Sequence, residues 1–463
     1  MLFRSVEDIP EVVLTAGLPW NWRSFPDYLD ALAARQFDLD VATQVPHAAL
    51  RVFVMGQRGA DREPATAADR AQMAALAAEG MRAGAFGFST SRTLNHRTKA
   101  GAPIPTLRAA EAELVEIAAA IGATKRGWLQ VVDDFGDERQ PEFTLLRRMV
   151  AASGRPATIT VLERDTHPQE WRELLDRVAQ ANADGLPMTA QVRGRPTSVM
   201  LGFELSQNPF RSCPSWRAIA DLPFADKLAA LRQPELRARL ISEQSSPRKS
   251  EQRWRDWDRM FPLRDPPDYE PAPELSIGAE ARRTGVDPVA LAYDALLAND
   301  GTGILYRPLT NYAHGDLASV HEMLQHPNTL IGLGDGGAHV GVMCDATDMT
   351  HALTHWTRDR TRGPRLPVAR MVKRLTSDNA HAIGLGDRGV VARGYKADLN
   401  VIDYDRLQLR APHVVYDLPA GGRRLMQHSD GYVATIVSGV PVYRDGAATG
   451  ALPGRLVRSG QQA

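Results

Sequence analysis

Apolar positions recur in two rhythms along most of the chain. Short runs rich in β-branched and aromatic residues, such as DVATQV (40–45), FGFSTS (86–91) and WLQVVDD (128–134), alternate with longer stretches whose apolar positions fall three or four apart. Between the first two runs, Met73, Leu76, Ala77 and Met81 recur at helical spacing, and Pro64 and Thr66 mark the start. TLRAAEAELVEIAAAIGATKRG predicts another helix with a glycine near its end. PEFTLLRRMVAASGRP followed by ATITVLE, and PQEWRELLDRVAQANADGLP followed by MTAQV, repeat the step. Helix and strand alternating every roughly 30–40 residues is the rhythm of βα units in a parallel sheet.

The rhythm breaks at about 206–284, a segment rich in Arg, Trp and Pro that is expected to be an inserted subdomain or lid. A structureless loop of that length inside a compact domain is improbable. Alternation then resumes with PVALAYDALLANDG as a helix, TGILYRPL as a strand, GDLASVHEMLQHP as a helix and TLIGLGDGG as a strand. VARMVKRLTSDNAHAIGL follows as the last helix. From residue 386 the pattern changes to short β-branched runs separated by the turn signals RGYKAD, SGVP and RDGAATG. The chain therefore reads as a βα barrel over 1–385 and a small all-β module over 386–463.

Composition narrows the function. The 463 residues are 43% apolar and 24% charged, enough to bury a sizeable core. Lys plus Arg (55) equals Asp plus Glu (55), which lacks the basic footprint of a nucleic-acid binder or of a protein held to an anionic membrane. A small-molecule partner is favoured. Cys213 and Cys344 are too few for a disulfide framework and lack C-x-x-C spacing, as expected of a reducing cytoplasm. No stretch approaches the ~20 apolar residues of a membrane span, and MLFRSVEDIP lacks the features of a signal peptide, so the expectation is a soluble cytoplasmic chain.

The stretch LIGLGDGGAHV raises the chemical question, because an apolar strand-like run stops on Asp335 among glycines. Glycines there are expected to let the backbone turn sharply, leaving the acid where α/β barrels build active sites. The plainer alternative is an acid that caps a helix or a turn. Several further stretches carry a resemblance. The tail GVVARGYKADLNVIDYD with VSGVPVYRDGAATGALPGRLVR resembles the closing β-sandwich of the amidohydrolase superfamily. LGDGGAHV, QVPHAALRVFVMG and AGAFGFSTSRTLNHRT resemble the N-acyl-D-amino-acid deacylases, or D-aminoacylases, and the likeness runs over nearly the whole chain.

The resemblance implies a (β/α)8 TIM-type barrel with a C-terminal β-sandwich portion and a metal site, with zinc as the cofactor, at the C-terminal ends of its strands. It implies hydrolysis of a linear amide in an N-acylated amino acid. Asp335 matches the aspartate that orients the metal-activated water and passes its proton to the leaving amine. His339, four residues on, is a candidate second metal ligand or a partner of one. Ser89, Arg92 and His96 follow a strand on the expected active face and are candidate substrate contacts. Arg92 reads either as a bidentate partner of a substrate carboxylate or as a surface arginine. His47 reads as a pocket residue or as an imidazole satisfied by the backbone.

The chain also departs from the family pattern. None of its twelve histidines forms the His-x-His pair of the family's first strand. The first sandwich strands, the first barrel strand and a cysteine-bearing second strand have no counterpart, so the barrel is expected to be incomplete at its N-terminus. The fifth and sixth strand positions read Thr160-Val161-Leu162 and Ala190-Gln191-Val192, without an imidazole. Lys125 precedes a strand, the wrong end for a carboxylated bridging lysine. A second reading follows: a catalytically inactive, truncated relic, or a scaffold completed by a partner chain. Unpaired strand edges would favour association, homo-oligomers included. A third reading, hydrolysis of cyclic amides or ureas, is disfavoured by FSTSRT and GLGDGGAHV. His351 and His355 share a helix face but lack the glutamate of zincins, His314 follows a strand and reads either as structural or as a residue reaching the site, and the glycines around Asp335 form no dinucleotide fingerprint.

Overall fold

The computed structural model describes residues 8–98, 101–134, 139–244 and 255–460. Nine strands organise the first part: β1 (Gln44–Pro46), β2 (Gly87–Ser91), β3 (Trp128–Val132), β4 (Ala157–Thr160), β5 (Met188–Val192), β6 (Ser198–Leu201), β7 (Phe261–Pro262), β8 (Leu305–Pro308) and β9 (Thr329–Ile331). Six of them form one parallel sheet in the order β1-β2-β3-β4-β5-β9. Its register runs through Val45↔Phe88, Phe88↔Leu129, Leu129↔Ala157, Ala157↔Met188 and Ala190↔Thr329. With helices between successive strands, this is an α/β TIM-type barrel arrangement. Among the described residues it holds six parallel strands, and β1 and β9 are its two edges.

The helices form where their punctuation directs. Thr66 and Asp69 close a reciprocal capping box at the start of the helix Ala67–Ala83, and Gly84 ends it at φ 112°, a conformation that favours glycine. The helices Glu111–Ala123 and Arg139–Ser153 pack closely because residue 122 is glycine: a Cβ there would lie 2.2 Å from the Ser153 carbonyl oxygen. Phe88, Leu129, Ile159 and Ala190 from the sheet and Met73, Ile117, Val150 and Val178 from the helices share one buried core.

The chain differs from the sequence expectation at TGILYRPL. β8 does not join the parallel sheet, because β9 pairs directly with β5 and leaves no place between them. Instead β8 lies between β6 and β7 in an antiparallel sheet, with Val199 opposite Arg307 and Phe261 opposite Tyr306. β6, which shows no alternation because all four of its residues are buried, escapes a period-2 reading. A second core of Phe203, Phe210, Trp216, Leu231, Tyr293 and Leu296 sits against this sheet. It draws in β6, β8 and the helix Pro288–Gly301, elements outside the 206–284 segment. Residues 245–254 of that segment lie outside the described residues.

At the C-terminal end, Leu399–Ile402, Tyr432–Val437, Val440–Arg444 and Ala447–Ala448 form a four-stranded antiparallel sheet beside a hairpin of His413–Leu418 and Gly422–Met426. The tail returns to the barrel through bridges at Phe37–Gly454 and Val41–Leu456. Asp40 receives Arg388 at 2.8 Å and Lys396 at 3.0 Å across the same contact.

Candidate functional site

The C-terminal ends of the parallel strands bring Ser91, Asp133, Asp134, Arg193 and the loop beyond β9 to one end of the sheet. In that loop the left-handed conformations fall on side-chain-bearing residues: Leu333 (φ 63°), Asp335 (φ 30°) and His339 (φ 53°). Only Gly337 among the clustered glycines has a positive φ. The expectation that the glycines make the turn is thus corrected in part. Gly332 and Gly336 instead admit close neighbours, since a Cβ would lie 3.4 Å from Gln191 Oε1 at the first and 3.3 Å from Ala346 Cβ at the second. Non-glycine residues in this region cost on the order of 1–3 kcal/mol each and concentrate at functional loops.

Asp335 is open to water on one side, yet the protein around it is dense. That crowding raises its carboxyl above the ordinary range; the charge of Arg193 opposes the rise, Asp345 adds to it, and His339 and His96 oppose it. His96 is held by Ser91, whose Oγ lies 2.7 Å from Nδ1. Its pKa is lowered, first by burial and then by His339, against the pull of Asp134 and Asp335. Asp335, His96 and His339 therefore act on one another at the mouth of the sheet. Ser89 is half-buried on β2, pointing to the face opposite Phe88 and Thr90.

Two expected substrate contacts are engaged elsewhere. His47 is 1% exposed, between the sheet and its helices. Its Nδ1 lies 2.8 Å from Thr90 Oγ1 and its Nε2 2.8 Å from Glu113 Oε1, while Arg51 holds the other Glu113 oxygen. A ring with both nitrogens occupied behind the sheet is a strut. The expected result of His47→Phe is a loss of about 1–3 kcal/mol in urea unfolding, from two orphaned partners. Any hydrolysis by the folded fraction should be unchanged, and a selective rise in KM would instead return His47 to the pocket. The Arg92 guanidinium is bidentate to Glu142 at 2.6 and 2.8 Å and donates to the Ala109 carbonyl at 2.9 Å. Its fork joins the β2 loop to a helix and is not free for a ligand carboxylate.

The sequence reading missed the most buried charges at this end. Arg193 and Arg195, at most 1% exposed, meet Asp345 and Asp348 in a two-by-two arrangement. Arg193 Nε and Nη2 donate to Asp348 Oδ2 at 3.0 and 2.5 Å, and Nη2 lies 2.8 Å from Asp345 Oδ2. Arg195 Nη2 donates to the Cys344 carbonyl at 2.7 Å and to Asp345 Oδ1 at 3.0 Å, with its guanidinium 4.2 Å from the Tyr269 ring centre. The R-x-R directly after a strand, matched with D-x-x-D after the acid loop, was the available signal.

His351 and His355 stack at 4.7 Å, and His355 Nε2 lies 2.9 Å from Glu270. Arg360 is bidentate to the same carboxylate at 3.0 and 3.0 Å. Burial pushes the Glu270 carboxyl up, but hydrogen bonds from His355, Arg360 and the Leu317 N–H outweigh it and bring the pKa to about 2 from 4.5. A depressed carboxyl stabilises the fold above its unfolded pKa and loses that contribution as pH falls through the folded one. Glu270 should therefore contribute up to about 3 kcal/mol at neutral pH, fading between 4.5 and about 2. Glu270→Gln should flatten that part of the stability profile in acid unfolding curves.

The metal expected from the resemblance can be tested against these donors. Among the described residues no three His, Cys, Asp or Glu side chains stand close enough to share an ion. The strand positions expected to carry imidazoles hold Thr160-Val161-Leu162 and Ala190-Gln191-Val192 instead, hydroxyl, alkyl and amide side chains. These are not zinc ligands. The described residues do not fit the ion.

A model of the amidohydrolase family matches residues 10–443. N-acyl-D-aspartate deacylase of Alcaligenes xylosoxydans xylosoxydans is 41% identical over 88 residues, which is 19% of this chain and 17% of that protein. The match thus spans less than a fifth of that relative's length. A D-aminoacylase with a binuclear metal center aligns at TM-score 0.59 and 21% identity, covering 99% of this chain and 80% of its own. N-acyl-D-glutamate deacylase from Bordetella bronchiseptica, complexed with zinc and a phosphonate inhibitor, aligns at TM-score 0.57 and 21% identity over 94% and 75%. These structures share the fold, and with the family model running over most of its length, the chain belongs to the amidohydrolase family.

Proposed function

We propose that the chain is a hydrolase of linear amides, acting on carbon–nitrogen bonds other than peptide bonds in an N-acylated amino acid. Asp335 is its proton-handling carboxylate. The observation that carries this is the position of Asp335: on a strained loop past β9, open to water, with His96 and His339 in its field and its carboxyl raised. A carboxylate so placed takes a proton from an attacking water and, holding it more firmly than an ordinary aspartate, returns it to the departing amine. Ser89 and His96 line the approach. The deacylases named above supply the substrate class. The barrel part is assigned to 1–385 and the β module to 386–463, and the cytoplasm is the proposed location. No described helix is long and apolar enough to cross a membrane. Zinc is the metal the family resemblance implies, with Asp335 and His339 its candidate ligands; because the described residues do not fit that ion, the proton transfers above are assigned to Asp335 alone.

A second reading is favoured by one observation, the lack of a three-ligand group among the described residues. In it the chain is an inactive member of the family, or a scaffold whose sheet edges at β1 and β9 are completed by another chain. Incubation with N-acetyl-D-amino acids, their L-enantiomers and hydantoins, with amine release measured with and without added zinc, separates the readings. Release from linear D-substrates supports the deacylase. Inertness toward all of them supports the second reading.

A further inference from the structure

We propose that Ser91 and His96 form a nucleophile and general-base pair, a second hydrolytic centre at the mouth of the sheet that cleaves small aryl esters without a metal. Ser91 is the last residue of β2, at the C-terminal end where barrel enzymes keep their chemistry. Its Oγ lies 2.7 Å from His96 Nδ1, the reach at which an imidazole takes a hydroxyl proton. Alternation along β2 turns Ser91 to the face opposite Thr90, whose own hydroxyl is occupied by His47. Of these two hydroxyl–imidazole pairs, the His47 pair is sealed in the interior, while Ser91 and His96 are both half-buried and reachable from the mouth.

A serine–histidine bond can serve as a strut, but here the loop is held without it. Asp134 accepts the Leu94 N–H at 2.7 Å and the Asn95 amide at 3.2 Å, and takes the Thr93 hydroxyl as well. Thr106 Oγ1 donates to the Ser91 carbonyl at 2.6 Å, and Arg97 bridges to Pro103 just beyond His96. The strand end and the loop are thus fixed by other contacts, which preorganises the pair on a rigid support. Among the described residues nothing bonds His96 Nε2, so that nitrogen can carry the ring hydrogen while Nδ1 accepts. Ser91 Oγ adds to the ester carbonyl as its proton passes to Nδ1; the C–O bond breaks, the aryloxide leaves as an anion, and the imidazolium gives its proton to water. A second water then adds to the acyl-serine through the same base, and the proton passes on to Ser91 Oγ as the carboxylic acid departs. An aryloxide needs no proton to leave, whereas an amine does. This centre is therefore confined to esters, and the amide chemistry of Asp335 stands apart from it.

The test has two readouts on the chelator-treated full chain. One is release of p-nitrophenolate from p-nitrophenyl acetate; the other is labelling by an alkyl fluorophosphonate, which traps an activated serine as a stable phosphonate ester, followed by peptide mass mapping. Release above buffer and phosphonate on Ser91 are expected. Folded Ser91→Ala and His96→Gln should each lower the rate of release about 10²-fold or more. The label is read on the unaltered chain, so misfolding of either variant leaves the test standing. Absence of phosphonate from Ser91, release no faster than in buffer, or an undiminished rate in folded Ser91→Ala overturns the proposal. Release that requires added zinc also overturns it. Amine release from N-acetyl-D-amino acids, measured in parallel, bears on the deacylase reading alone, so the two can fail separately.

Discussion

Asp348→Asn should lower the stability of the chain by about 3–5 kcal/mol, the penalty for removing one partner from a buried ion pair. Asp348 is 1% exposed and meets both Arg193 and Arg195. Asparagine keeps the shape and loses the charge, leaving two guanidiniums to share Asp345 in a dry environment. The cluster as a whole need not stabilise the fold, because desolvating four charges offsets much of their attraction. It is the broken cluster that is costly. Urea unfolding followed by far-UV circular dichroism measures the effect. Burial pushes the Asp348 carboxyl up while Arg195 and Arg193 oppose it. A loss below about 1 kcal/mol would therefore mean that Asp348 is held as the neutral acid.

The second large effect concerns rate. Asp335→Asn should slow amide hydrolysis by about 10²–10⁴-fold, the usual contribution of a positioned general acid–base group. Its fold should be unaffected, since the side chain is exposed at its edge and asparagine tolerates the left-handed backbone at φ 30°. The protonation state adds a signature. Because the carboxyl is raised, the acid limb of the rate profile should lie above the ordinary 3.8, with activity rising as Asp335 ionises.

Local features of the fold were legible because they are written locally. MTAQV ends where β5 ends, and Thr66 and Gly84 bracket the helix whose spacing announced it. The hairpin signals after residue 386 led to antiparallel strands. Failures came where a partner far along the chain decides. TGILYRPL has the composition of a barrel strand, and only its pairing with β6 and β7 removes it from the barrel. Arg193 looks like any charged residue after a strand until Asp348, 155 residues later, folds onto it. The same holds for Arg92 and His47, whose occupation by Glu142 and Glu113 is a fact of helix packing. Asp335 was legible because the acid-in-glycine pattern is contiguous. The strain on its loop was not, since three of the four positive φ angles fall on residues with side chains.

The most direct measurement compares the unaltered chain with Asp335→Asn, side by side, for amine released from N-acetyl-D-amino acids, both purified in the same zinc-supplemented buffer. The account predicts release by the unaltered chain and a loss of about 10²–10⁴-fold in the variant, with superimposable unfolding curves. Equal rates in the two proteins, or no release from either, would contradict it.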